Sequence, residues 1–214
     1  VKFYLSIFMV LGAVLLLAGC ETVSQEQCVA GDWEALGRAD AASGHDISRF
    51  EQIAKDCGRH GVTPDAAIYQ KGWNQGVQIY CTPLNGFNLG RQGKSLSNIC
   101  PPQVATDFQW SHSLGRQIWT AEDRVRTLER DISSKENSVS RLRSEVEDIS
   151  CAGKQGEALR ECRSKRNDKR QELQDARFDL QDMKWRLRER QREYDDTLRS
   201  VTAEASRSSP GFGG

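Results

Sequence analysis

The sequence predicts a mainly α-helical protein: a small helical domain stapled by disulfides, followed by a long antiparallel coiled-coil hairpin. Three observations carry that prediction. Apolar residues alternate by fours and threes from Leu114 toward Val201, the spacing of a helical seam. Six of the seven cysteines follow residue 20. Only 37% of the 214 residues are hydrophobic, and fifteen of these fall in the first 19 positions. What remains is lean for one packed domain of this length, which excludes a two-layer enzyme fold and calls for an elongated element. The charge is balanced, 30 Lys+Arg against 30 Asp+Glu, and gives no argument for a nucleic-acid partner.

Residues 1–19 read as a signal peptide. Lys2 supplies a positive start, and residues 3–17 are apolar apart from Ser6 and Gly12. That stretch is short for a membrane span. It closes in Leu17-Ala18-Gly19-Cys20, small residues before a Cys, which resembles the bacterial lipobox. In that pattern Cys20 is lipidated, with palmitate among its chains, and becomes the new N-terminus. Each buried methylene contributes about 0.8 kcal/mol, so several acyl chains form a nearly permanent anchor. Glu21 after the Cys, rather than Asp, favours by resemblance the periplasmic face of the outer membrane; the inner membrane is the alternative.

Three regions follow the leader: a Cys/Gly-rich helical domain at 20–103, the hairpin at 104–205, and a disordered Ser/Gly tail at 206–214. Pro101-Pro102 marks the first boundary, since proline breaks a helix and restrains its predecessor. In the first domain, residues 28–43 form one helix ending at Gly44, and residues 47–58 a second. Thr63-Pro64-Asp65 starts a third that runs to about Tyr80: Thr as N-cap, Pro at N1, an acid in the first turn. Residues 82–100 are read as loop. An exported chain meets an oxidising compartment, so Cys28, Cys57, Cys81, Cys100, Cys151 and Cys162 are expected to form three disulfides. If the first two helices form a hairpin, Cys28 meets Cys57, which leaves Cys81 for Cys100.

The hairpin is read from two seams. Leu114, Ile118, Ala121, Val125, Leu128, Ile132, Lys135, Val139, Leu142, Val146 and Ile149 form the first. After Gly153 and Gly156, the second runs Leu159, Cys162, Arg166, Lys169, Leu173, Ala176, Leu180, Met183, Leu187, Arg190, Tyr194, Thr197, Val201. Paired antiparallel, every layer has the same residue-number sum: Leu142 faces Leu173, Ile132 faces Met183, Leu114 faces Val201. Cys151 and Cys162 then sit almost opposite each other and lock the tip. Phe178 and Trp185, seven apart, both fall at heptad position f, facing away from the partner arm. Two large aromatics where charge belongs need a cover: either the first domain folds back along the arm over them, or a second copy or another protein binds there, and the partner-binding face is the expected reading.

Chemistry-bearing motifs are few. Gly93-Lys94-Ser95 lacks the earlier Gly of a P-loop, since Asn88 stands there, and no hydrophobic strand precedes it. Cys57-Gly58-Arg59-His60 has a metal-like spacer but no second pair, and His45 and His112 stand alone. No catalytic set, metal site or cofactor is expected. Tyr69, Gly72, Trp73, Gly76 and Tyr80 share one helical face. Core packing against another backbone is the first reading of that face; a groove for a ligand is the second.

Cys28, Gly31-Asp32-Trp33, Gly37, Cys57, Gly61-Val62-Thr63-Pro64-Asp65, Tyr69, Gly72, Gly76, Tyr80-Cys81, Gly86-Phe87, Gly90-Arg91, Gly93 and Cys100-Pro101 resemble the bacterial lipoprotein family called domain of unknown function 2799. The resemblance spans about residues 25–102, with Leu96 where that family pattern has an aromatic. It implies an exported, lipid-anchored protein and supplies no activity. The expected function is therefore a structural or interaction module of the envelope, not an enzyme. Its partners are the membrane, through the lipid, and a protein partner or a second copy, through the coiled coil. The alternative is a small-molecule or glycan-binding module using the Tyr69/Trp73/Tyr80 face.

Overall fold

The computed structural model describes residues 22–208; the leader, Cys20 and residues 209–214 lie outside them. The described residues form helices and no strand. In chain order these are α1 (Gln25–Ala30), α2 (Trp33–Ala42), α3 (Arg49–Gly58), α4 (Ala66–Tyr80), α5 (Pro83–Arg91), α6 (Pro102–Asp148) and α7 (Gly156–Ser208). Two compact units emerge: one up to Gly86 with 96–109, the other 87–95 with 110 onward. Residues 87–95, which the sequence reading placed in the first domain, thus group with the hairpin.

The single helix expected over 28–43 is two, because Gly31 adopts a left-handed φ of 66° that ends α1. Ser24 and Gln27 form a reciprocal capping box at the start of α1, and Asp32 caps α2 by accepting from the Ala35 amide at 3.0 Å. The start of α4 is also shifted. Asp65, not Thr63, is its N-cap, accepting from the amides of Ala67 and Ile68. An ionised cap at a helix N-terminus is the stronger acceptor there. Val23, Cys28, Trp33, Ile53, Cys57 and Tyr69 make the buried core, with Leu36, Phe50, Val62 and Trp73 packed around it.

Glycines decide how these helices cross. A Cβ added at Gly37 would overlap the Tyr69 carbonyl and lie 2.9 Å from the Trp73 amide nitrogen. One added at Gly72 would lie 2.7 Å from the Glu34 carbonyl carbon and overlap its oxygen. Each glycine therefore meets the backbone three residues before the other, so α2 and α4 touch backbone to backbone. Segment 82–100, read as loop, holds α5. The sequence reading failed here because Gly86 and Gly90 lower helix propensity, yet tertiary contact uses their bareness. In the first unit, Gly86 lies against the Phe108 carbonyl. In the second, Gly90 lies against His112 and Arg116, and Gly115 against Phe87 and Arg91, the same reciprocal offset as Gly37 and Gly72.

The second unit is dominated by the hairpin of α6 and α7, with 47 and 53 residues. At about 1.5 Å per residue these are helices of roughly 70 and 80 Å. No seam position named for α6 is exposed, and in α7 only Arg190 is. Cross-arm ion pairs keep the expected register: Lys135 with Asp179 at 2.9 Å, Lys169 with Glu145 at 3.3 Å. Near the open end, Leu114 and Ile118 pack with Val201 and Ala205. Ala205 is one reason that α7 runs on to Ser208, past the expected start of the tail: it is buried, and no Gly or Pro interrupts the helix before that point.

Candidate functional site

Three disulfides close the two units: Cys28–Cys57, Cys81–Cys100 and Cys151–Cys162, with Cα atoms 5.4, 5.6 and 5.9 Å apart. The pairings are those read from the sequence. With Cys57 bonded to Cys28, its sulfur is not available to a metal beside His60. Among the described residues no three His, Cys, Asp or Glu side chains converge as ligands. His112 instead bonds the Lys94 carbonyl through Nε2 at 2.7 Å. Gly93 is a left-handed turn after α5, held by an Arg116 Nη1 hydrogen bond to its carbonyl at 2.9 Å.

The face of Tyr69, Gly72, Trp73, Gly76 and Tyr80 is a packing face, which corrects the ligand-groove reading. Gly72 and Gly76 are filled by the α2 backbone, and Tyr69 is fully buried. Trp73 Nε1 donates to the His45 carbonyl at 3.0 Å. Tyr80 stacks at an angle on Phe108, and its hydroxyl accepts from the Ser97 amide. A surface depression of about 270 Å³ on this unit is lined by Gln27, Ala30, Asp32, Ala35, Leu36 and Ala39, with no aromatic.

Two buried acids escaped the sequence reading. Asp40 accepts from the Tyr69 hydroxyl at 2.8 Å and pairs with Arg49 Nε at 3.0 Å. Burial, then the bond to Asp40, pushes the Tyr69 phenol well above its ordinary range, so it stays protonated and donates. Asp56 accepts the Thr22 amide at 2.8 Å and the Gln52 side chain at 2.9 Å. The Thr22 bond, helped by Gln52 and Arg59, holds its carboxyl below the usual range. The available signal was an acid at buried-face spacing: Asp40 follows Trp33 and Gly37, and Asp56 follows Ile53. Both carboxylates are buried, while Arg49, Gln52 and Arg59 keep part of their surface in solvent, and both sets serve as ties within the unit.

The solvent-facing feature is on α7. Phe178 is 61% exposed and Trp185 is 50% exposed, two turns apart on the outer face. Gln171, Gln174, Asp175, Gln181, Asp182, Arg188 and Arg192 surround them, all exposed. An arm of this charge density buries its apolar residues in the seam, so two outward aromatics are surface that water disfavours.

No curated protein and no solved structure matches the chain. Residues 32–117, which contain all the glycines of the helix crossings, match the model of the family described as "Protein of unknown function (DUF2799)".

Proposed function

We propose that the chain is a lipid-anchored periplasmic envelope protein that acts as an interaction module rather than an enzyme. Its coiled-coil arm docks a protein through the outer face at Phe178 and Trp185. The observation that carries this reading is the exposure of both aromatics on an otherwise polar helix. Two such rings supply ~150–250 Å² each of contact surface, the usual core of a docking patch. The lipobox ending at Cys20 supports the anchor, and three disulfides support an oxidising compartment. Among the described residues, no helix is long and apolar enough to cross a membrane.

The experiment places a photo-crosslinking side chain at Gln181, between the aromatics, and at exposed Arg143 as a control, in cells that make the full chain. Adducts at 181 but not at 143, lost when Phe178 and Trp185 become Ser, support the reading. Equal adducts at both sites, or none at 181, contradict it. Acyl labelling that survives Cys20→Ser would remove the anchor.

A further inference from the structure

We infer that the occupant of the Phe178/Trp185 face is a second copy of this chain, with the two α7 helices antiparallel. This rests on the docking reading above and names its partner. The outer stripe of α7 is self-complementary when reversed. A two-fold axis between Gln181 and Asp182 sets Phe178 against Trp185 of the second copy, and Trp185 against its Phe178. The same operation sets Asp175 against Arg188 of the second copy, and Gln171 against its Arg192. Both symmetry-related sets form at once, as an isologous contact requires. Asp175 and Arg188 are exposed and have no ion-pair partner among the described residues, so neither must give one up. A parallel pairing would instead stack Asp175 on Asp175 and Arg188 on Arg188.

The axis also falls at the middle of the helix. α7 runs from Gly156 to Ser208, with its midpoint at residue 182. Antiparallel pairing about that point overlaps the whole helix, roughly 80 Å at the α-helical rise. A strip about 10 Å wide over that length is on the order of 800 Å² per copy, the size of a specific interface. The register also brings two like-charge pairs together. Arg177 comes toward Arg186, about 7 Å from the axis, where Arg186 is already paired with Asp182. Asp168 comes toward Asp195, about 20 Å from the axis. All of these side chains are exposed and salt screens them.

The test puts the photo-crosslinking side chain at Gln171 of the full chain in cells and maps the adduct. The expected product is a covalent dimer linked near Arg192 of the second copy. Asp175→Arg or Arg188→Asp alone should cut that dimer roughly tenfold, and the two changes in one chain should restore it. Circular dichroism of each variant checks that the arm is intact. A dimer linked Gln171 to Gln171, or a double reversal that fails to restore, overturns the antiparallel register. Adducts only to a different protein overturn the self-pairing while leaving the docking face standing. With no adduct here and none from Gln181, both readings fall.

Discussion

Replacing Gly72 by Ala tests the backbone contact that organises the first unit. The added methyl would lie 2.7 Å from the Glu34 carbonyl carbon and 2.8 Å from its Cα, and closer still to the oxygen. The obstacle is main chain, so no side-chain rotation relieves it, and α2 must move away from α4. Overpacking of this kind costs about 3 kcal/mol at the upper end of its usual range. Alanine returns about 1 kcal/mol of helix propensity, leaving a net loss of roughly 2 kcal/mol. Gly58→Ala is the control. It ends α3 with nothing within 4 Å of the new methyl and no positive φ, so it should gain about 0.4–1 kcal/mol. Amide hydrogen exchange in α2 and α4 reads the first unit separately from the arm. Protection there should fall roughly 30-fold for Gly72→Ala, as about 2 kcal/mol requires, and hold or rise for Gly58→Ala. Equal protection in the two variants would refute the close crossing.

Three further outcomes follow from the ties described above. Lys135→Leu exchanges an exposed pair with Asp179, worth about 0.2–1 kcal/mol, for an apolar seam contact, so the arm should melt a few degrees higher; a lower melt would place Lys135 outside the seam. Replacing Cys151 and Cys162 by Ser removes an 11-residue closure worth about 2.8 kcal/mol, and Cys28 with Cys57 a 29-residue closure worth about 3.6 kcal/mol, so exchange should rise near the tip in the first case and through α1 and α3 in the second. The Asp56 carboxyl is held below its ordinary range chiefly by the Thr22 amide, so its contribution is full above that range and is lost as pH falls through the lowered folded value. Acid should therefore free the segment at Thr22 and Val23, and Asp56→Asn should flatten that pH dependence, as read by exchange at these amides.

The parts legible in sequence were those set by a repeating local rule. The seam needs only the spacing of Leu, Ile and Val, and residues from Leu114 to Val201 kept that spacing with one exposed exception, Arg190. The exception is explicable: the charged end of Arg190 stays in solvent, where its guanidinium pairs with Glu193. Cysteine pairing was legible from the even count and from the arm register that sets Cys151 opposite Cys162, although Gly31 breaks the helix from which the Cys28–Cys57 pair was argued. What failed depended on contacts distant in sequence. Gly86 and Gly90 read as loop signals, and only the neighbouring backbone of α6 makes them helical. Asp40 and Asp56 were not singled out, because their partners Tyr69 and Thr22 lie 29 and 34 residues away. The candidate site was half legible. The f-position of Phe178 and Trp185 followed from the register, whereas the ligand face dissolved once Gly72 met Glu34.

The central claim is that the outer aromatics of α7 dock a protein, and its most direct test is the double change Phe178→Ser with Trp185→Ser. Cells that make the full chain are extracted in mild detergent and the chain is sized by sedimentation, with helicity and melting followed in parallel. The account predicts that the wild-type chain sediments in an assembly larger than a single chain, and that the double variant falls to the monomer with unchanged helicity. An assembly of the same size in both chains, with the arm intact, would contradict it.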